Sequence, residues 1–222
     1  MTPPDRIEVI APNLKRRLSG VTSTIARLVP LQARSIGIVA TGPGLPADVP
    51  HLPLWRVALL GAGRRVWHAR RNTEMLLGLA FRLLSGGDWK LVFTSASQRH
   101  HSAYTRWLIR RMDAVIATSH KTANYLERPA TVILHGIDTE TFRPTPDRVA
   151  LRARLGLPET GMLIGCYGRI RAQKGTDIFV EAMIAALPDL PGARAIVIGR
   201  ATGRHGDFRQ RLQARVAGAG LS

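Results

Sequence analysis

Within the stretch GCYGRIRAQKGTD, residues 165 to 177, Arg169 and Lys174 stand beside Gly168 and Gly175. Two cations on flexible arms, next to residues that let the backbone come close to a ligand, suit a diphosphate. The stretch leads from a strand pattern into a helical one. Thr176 is placed to cap that helix, whose first turn offers unpaired amides and the positive end of its dipole. The same residues also describe a tight strand-to-helix turn with solvated basic side chains, and at this level both readings stand. Order rules out two other phosphate loops. A P-loop needs its lysine after the glycine, whereas Lys174-Gly175-Thr176 has it before. The G-x-G-x-x-G of a nicotinamide site is absent, and the next strand ends in Gly199-Arg200 where an acidic ribose partner would stand.

A second cluster is WHARRNTE, Trp67 to Glu74, with His68, Arg70 and Arg71 at the end of a strand pattern. Open α/β sheets bind ligands beyond the carboxyl ends of their strands, so these three are candidate ligand contacts, or else ordinary loop residues. Metal and nucleophile chemistry find little support. His100 and His101 are adjacent, so they point in different directions, and they lack carboxylate or Cys partners at ligand spacing. Ser119-His120 has no G-x-S-x-G setting.

The elements that must position these residues follow from periodicity. IEVIAP, SIGIVATG, VWHA, LVFTSA, AVIATS and TVILH read as strands. Between them NTEMLLGLAFRLLS reads as a helix capped by Asn72, with Met75, Leu76, Leu79, Leu83 and Leu84 on one face. SAYTRWLIRRM and HKTANYLE are shorter helices. Apolar strands alternating with helices imply a parallel sheet covered on both faces. After HGIDTETFRPTPDR the pattern restarts, with MLIGCYG and RAIVIG as strands and TDIFVEAMIAAL and DFRQRLQARVAGAG as helices. The expected organisation is therefore α/β throughout: a domain over 1–142, a linker over 143–160 and an incomplete second α/β domain over 161–222. Phe208, Leu212 and Val216 in the last helix need a sheet to cover, and the chain ends where a third strand is expected, as in a truncated product.

Composition bounds the partners. The 222 residues are 45% hydrophobic, enough for a core, and carry a formal net charge of +17 from 32 Lys+Arg against 15 Asp+Glu. Residues 51 to 111 alone hold eleven Lys+Arg and two Asp+Glu, a face suited to anionic membrane or simply to solvent. With 5% aromatics and no interleaved stacking residues, nucleic acid ranks last among anionic partners. Cys166 is the single cysteine, so no internal disulfide framework exists; it reads as a small buried residue in a reducing, cytoplasmic setting. No export signal opens the chain, and no run approaches the roughly 20 apolar residues of a membrane-spanning helix, which implies a soluble or peripheral protein.

Four segments, in order, resemble family 4 of the nucleotide-sugar glycosyltransferases, which have the two-domain GT-B architecture. RRLSGVTST is similar to the family's glycine-containing loop after the first strand, and MDAVIATSHKTANYL to its "ad-viavS" segment. VILHGIDTETFRP resembles its "vipNGvD…F-P" hinge, and YGRIRAQKGTDIFVEAM its "GRl…KG-d-l-eA" donor motif. HARRN, LVFTSASQR and YTRWLIRRMDAVIATS further resemble bacterial lipopolysaccharide core mannosyltransferases. The resemblance implies a nucleotide-sugar donor, GDP-mannose, as substrate, no cofactor and no metal, and transfer with retention. By it, Arg169 and Lys174 grip the donor diphosphate with Gly168 and Gly199 beside them, Gly20 lies near the sugar and phosphates, and His68, Arg70 and Arg71 face a lipid-linked or core-glycan acceptor. The expected location is cytoplasmic, with the inner face of the cytoplasmic membrane as a peripheral contact for the basic face. Two departures stand out: Ser95-Ala96 occupies the strand end where many members carry histidine, and the family's glutamate pair lies beyond Ser222. A non-catalytic remnant or interaction module is the competing reading.

Overall fold

The computed structural model describes residues 7–16, 19–61 and 63–221; Arg17 and Leu18 of the glycine-containing segment lie outside the described residues. The chain divides into two compact units, Met1–Ile137 and Asp138–Ser222, so the division falls a few residues before the expected boundary at 142. The stretch expected as linker holds a helix, Arg148–Arg154, capped by the Asp147 carboxylate, which accepts from the Ala150 amide at 2.8 Å.

Unit 1 is a parallel sheet of β1 (Val9–Pro12), β2 (Ile38–Thr41), β3 (Arg64–Ala69), β4 (Asp88–Ser95), β5 (Ala114–Ala117) and β6 (Thr131–Val132), in the order β2-β1-β3-β4-β5-β6. Its helices are α1 (Gly20–Gln32), α2 (Leu54–Ala58), α3 (Asn72–Leu84), α4 (Ala103–Ile109) and α5 (His120–Ala123). Strand side chains alternate between faces, and the core divides accordingly. Ile10 and Val39 join Trp67, Met75, Trp89 and Leu91 in one cluster, whereas Ala11, Ile38 and Ala40 join Ile25 and Val29 in the other. Both faces of the sheet are thus covered, as all-parallel sheets require. Trp67 is fully buried and meets Phe81 edge-on, with ring centroids 5.1 Å apart.

Two expectations for α3 are corrected. Met75 and Leu79 are buried, but Leu76 is exposed, and Leu83 and Leu84 are 80% and 84% exposed. The buried arc is centred on Glu74, Met75, Gly78 and Leu79, and Leu76 and Leu83 lie about 110–130° around the helix from its centre. Asn72 does not cap: Arg71 holds the cap position in extended conformation, and the Asn72 amide donates to Thr105 Oγ1 at 2.8 Å. Capping runs backwards here, with Glu74 Oε2 accepting from the Arg70 amide at 2.8 Å.

Unit 2 adds α6 (Arg148–Arg154), β7 (Leu163–Tyr167), α7 (Thr176–Ala186), β8 (Arg194–Ile198) and α8 (Gly206–Gly218). β7 and β8 pair in parallel, Cys166 opposite Val197. Cys166 is half-buried rather than buried, because among the described residues the sheet here has two strands. Phe208, Leu212 and Val216 are half-buried, and Leu212 and Val216 share a groove with Val180 and Val197.

Candidate functional site

In unit 1, β1 lies between β2 and β3, so the chain leaves it in both directions and a crevice opens beyond the carboxyl ends of β1 and β3. Asn13, fully buried, follows β1. Its amide donates to the Pro43 carbonyl at 2.7 Å, and its Oδ1 accepts from Thr22 Oγ1 at 3.1 Å and from Arg71 Nη1 at 3.0 Å. Arg71 Nη1 also reaches Glu74 Oε1 at 2.6 Å, and Nη2 donates to Ser19 Oγ at 2.9 Å and Thr22 Oγ1 at 3.2 Å. The loops after β1, β2 and β3 are thereby tied together around one ion pair whose Glu74 side chain is wholly buried. Ser19 caps α1 through the Thr22 amide, and Gly20 opens that helix rather than sitting in a loop. Gly20 is exposed, and a Cβ built on it would meet nothing within 4 Å.

A second feature lies one strand along. His68 Nε2 pairs with Thr94 Oγ1 at 2.7 Å, joining β3 to β4. Burial and the adjacent Arg70 charge push the His68 imidazole down to about 3, so it is neutral at pH 7. Arg70 is half-buried, and burial lowers its guanidinium to about 10. It lines an open cleft of about 570 Å³ together with Asn72, Ser95, Arg99, His100 and His101. His101 Nε2 stands 3.5 Å from Ser95 Oγ, and its imidazole is lowered from its ordinary value by burial and by Arg99. Sequence reasoning assigned Arg70 and Arg71 alike. The structure separates them: Arg70 faces the cleft, and Arg71 is taken up by the crevice network. The sequence reading weighs His101 only as a metal ligand and counts Arg99 only within a basic face, although their position just after β4 is a usable signal.

In unit 2 the β7–α7 loop forms the third feature. Strand pairing runs on past β7 and β8, with the Gly168 amide donating to Ile198 at 2.9 Å and the Ile170 amide to Arg200 at 3.2 Å. A Cβ on Gly199 would collide with the Gly168 carbonyl, so these two glycines close the strand ends together. Ala172–Lys174 form a 3₁₀ turn, and Gly175 follows at φ 69°, a left-handed conformation that favours glycine. Gly175, not Thr176, occupies the cap position of α7, and no side chain caps the helix. Thr176 is the first helical residue and is buried, its hydroxyl 3.5 Å from the Arg171 carbonyl. Among the described residues, no side chain is thus recorded as capping the first-turn amides of α7. Lys174 is exposed and Arg169 half-exposed at this mouth, and the buried Nε of Arg171 has no hydrogen-bond partner.

Among the described residues, no group of three or more His, Cys, Asp or Glu could hold a metal ion, and no helix is long and apolar enough to cross a membrane.

Parallel-sheet units with ligand-facing loops at their carboxyl ends define the class: the chain has the fold of the GT-B glycosyltransferases. It superposes on Anabaena HepE, solved with UDP and glucose, with a TM-score of 0.77 over 97% of this chain and 67% of that one, at 16% identity. By sequence the chain is a relative of bacterial lipopolysaccharide core mannosyltransferases. It is 54% identical to LpsB of Rhizobium meliloti (strain 1021) and 54% identical to LpcC of Rhizobium leguminosarum bv. viciae, each over 97% of the chain. The chain spans 63% of the length of these two curated relatives. No protein-family profile matches it.

Proposed function

We propose that the chain acts in transferring mannose, with retention, from GDP-mannose to a lipopolysaccharide core or related cell-surface glycan. The observation that carries this reading is 54% identity across both units to two proteins named as lipopolysaccharide core mannosyltransferases. The β7–α7 loop suits the donor. As the glycosidic bond breaks, negative charge grows on the departing diphosphate. Arg169, Lys174 and the uncapped amino end of α7 stabilise that charge more in the transition state than in the ground state. Gly168 and Gly199 hold the loop's backbone close to the strand ends, and Gly20 leaves room at the head of α1. His68 and Arg70 serve the acceptor, whereas Arg71 positions the crevice loops. The work takes place at the inner face of the cytoplasmic membrane, for which the exposed Leu83, Leu84, Tyr104 and Trp107 of α3 and α4, beside Arg110 and Arg111, are a fitting contact.

The test is transfer of labelled mannose from GDP-mannose to core acceptor lacking that residue, alongside calorimetric titration with GDP and UDP. GDP is expected to bind in preference to UDP. Replacing Arg169 or Lys174 by Ala should lower kcat/KM on the order of a hundredfold, about 3 kcal/mol of transition-state stabilisation. Nucleotide binding and transfer unchanged in the double variant would overturn the donor assignment.

A further inference from the structure

Glu74 is a fully buried carboxylate that the proposed chemistry does not use. Its two oxygens serve two different segments. Oε2 accepts from the amide of Arg70, a residue that lines the β3–β4 cleft, at 2.8 Å, and Oε1 takes Arg71 Nη1 at 2.6 Å. Arg71 carries the link onward. Its guanidinium reaches Asn13 Oδ1 at 3.0 Å, just after β1, and Ser19 Oγ at 2.9 Å, at the head of α1. Asn13 in turn donates to the Pro43 carbonyl beyond β2 at 2.7 Å. Asn13 and Thr22 are also buried, and the Arg71 side chain is 12% exposed. Taking both charges of such a pair out of water offsets most of their attraction, and an apolar pair of similar volume often serves stability equally well. What an apolar pair cannot supply is direction. Here directed hydrogen bonds join the Arg70 segment to the head of α1, and breaking any one strands a buried polar group, so the segments hold one arrangement.

We propose that Glu74 is a positioning residue: through Arg71 it locks the segment carrying Arg70 to the head of α1 carrying Gly20, so that the two ligand-facing sides of the crevice keep one relative geometry. With no exposed surface, Glu74 is out of reach of a ligand and acts through the Arg70 amide on one side and the Arg71 guanidinium on the other. A misplacement of about 1 Å between reacting groups lowers a rate on the order of a hundredfold, so a joint of this kind governs transfer without touching it. The inference rests on the proposed function for what Gly20 and Arg70 meet, and on the hydrogen-bond geometry alone for the joint itself.

Two variants of the full chain cut the joint at opposite ends, and each is read at the other end by amide hydrogen exchange without ligand. Arg71→Met plus Glu74→Leu refills the ion pair with apolar side chains, and its readout is the head of α1, at the Thr22 and Ser23 amides. Ser19→Gly removes the hydroxyl that Arg71 meets, at little cost to the helix cap, and its readout is the Arg70 amide. Exchange is counted relative to amides of β4, so that a general loss of stability cancels. Each far-side amide should exchange on the order of tenfold faster than in the wild type. Mannose transfer should fall on the order of ten- to hundredfold in kcat, with KM changed less. Arg215→Met plus Glu181→Leu, an exposed ion pair between α8 and α7, is the control and should leave every readout as it was. Far-side exchange as in the wild type, or transfer lowered no more than in the control, would overturn the proposal, because a pair that merely supports the fold gives that result once its volume is refilled. If circular dichroism shows that the apolar pair fails to fold, Ser19→Gly decides by the same criterion. If the wild type transfers no mannose, the exchange measurement decides the joint alone and the proposed function falls.

Discussion

Acidification should destabilise unit 1 through His68. Its ring is held neutral between Thr94 and Arg70, with its protonation pushed down to about 3. In the unfolded chain the same ring takes up a proton near pH 6.5. Between those values the unfolded state binds more protons than the folded one, so the stability from this site is complete above pH 6.5 and is lost as pH falls. At about 1.4 kcal/mol per pH unit, going from pH 7 to pH 5 would cost about 2 kcal/mol. Because one edge of the ring keeps some solvent, we discount this to about 1–2 kcal/mol. Urea unfolding followed by tryptophan emission reads unit 1 directly, since Trp67 and Trp89 lie in its core. The comparison is with His68→Gln, which keeps a hydrogen-bonding group for Thr94 but cannot titrate. Contributions common to both proteins cancel. Wild type should lose about 1–2 kcal/mol more than the variant between pH 7 and pH 5; parallel curves would refute the account of a ring buried uncharged.

Arg71→Met leaves the Glu74 carboxylate buried without its partner and should cost about 3–5 kcal/mol in urea unfolding, with Arg71→Met plus Glu74→Leu recovering part of it. An additive double variant would mean that the pair is not coupled. Gly199→Ala drives a methyl group into the Gly168 carbonyl and should lower the stability of unit 2 by roughly 1–3 kcal/mol, read as a lower melting temperature, while tryptophan emission from unit 1 stays as in the wild type.

The parallel α/β architecture was legible because its signal is long-range and redundant: each described strand overlaps an apolar run that periodicity marks, although β3 and β4 begin two and three residues before theirs. Ends and caps were less legible. TVILH reads as one strand, yet its pairing ends with the Ile133 amide donating to the Ala117 carbonyl at 2.9 Å, and Leu134 is 65% exposed. α1 went unread because RRLSGVTST looks like a loop, although Ser19 followed by Thr22 was a capping signal in plain view. Thr176 was assigned the cap of α7 by residue type, but a left-handed Gly175 ends the preceding turn and starts the helix one residue earlier than a Thr cap allows. A cap depends on the dihedral angles of one residue, and composition does not specify those.

The separation of Arg70 from Arg71 was not legible either, because two neighbouring residues of one type carry no signal for which partners each will meet. Side chains alternate along an extended segment, and Arg71 continues β3 in extended conformation, at φ −139° and ψ 158°. Alternation would group Arg71 with Trp67 and Ala69, yet those two join the cluster of Ile10 and Val39, whereas Arg71 meets Asn13 and the head of α1, whose Ile25 and Val29 belong to the other cluster. His68 bonds to Thr94 of β4, and Arg70 lines the cleft at the ends of β3 and β4. Arg71 is left on the side of Asn13 and α1, where Glu74, one helical turn on, meets it. Two neighbouring arginines of the same type thus acquire different duties from their partners: one is neutralised internally to fix three loops, and the other lines the cleft.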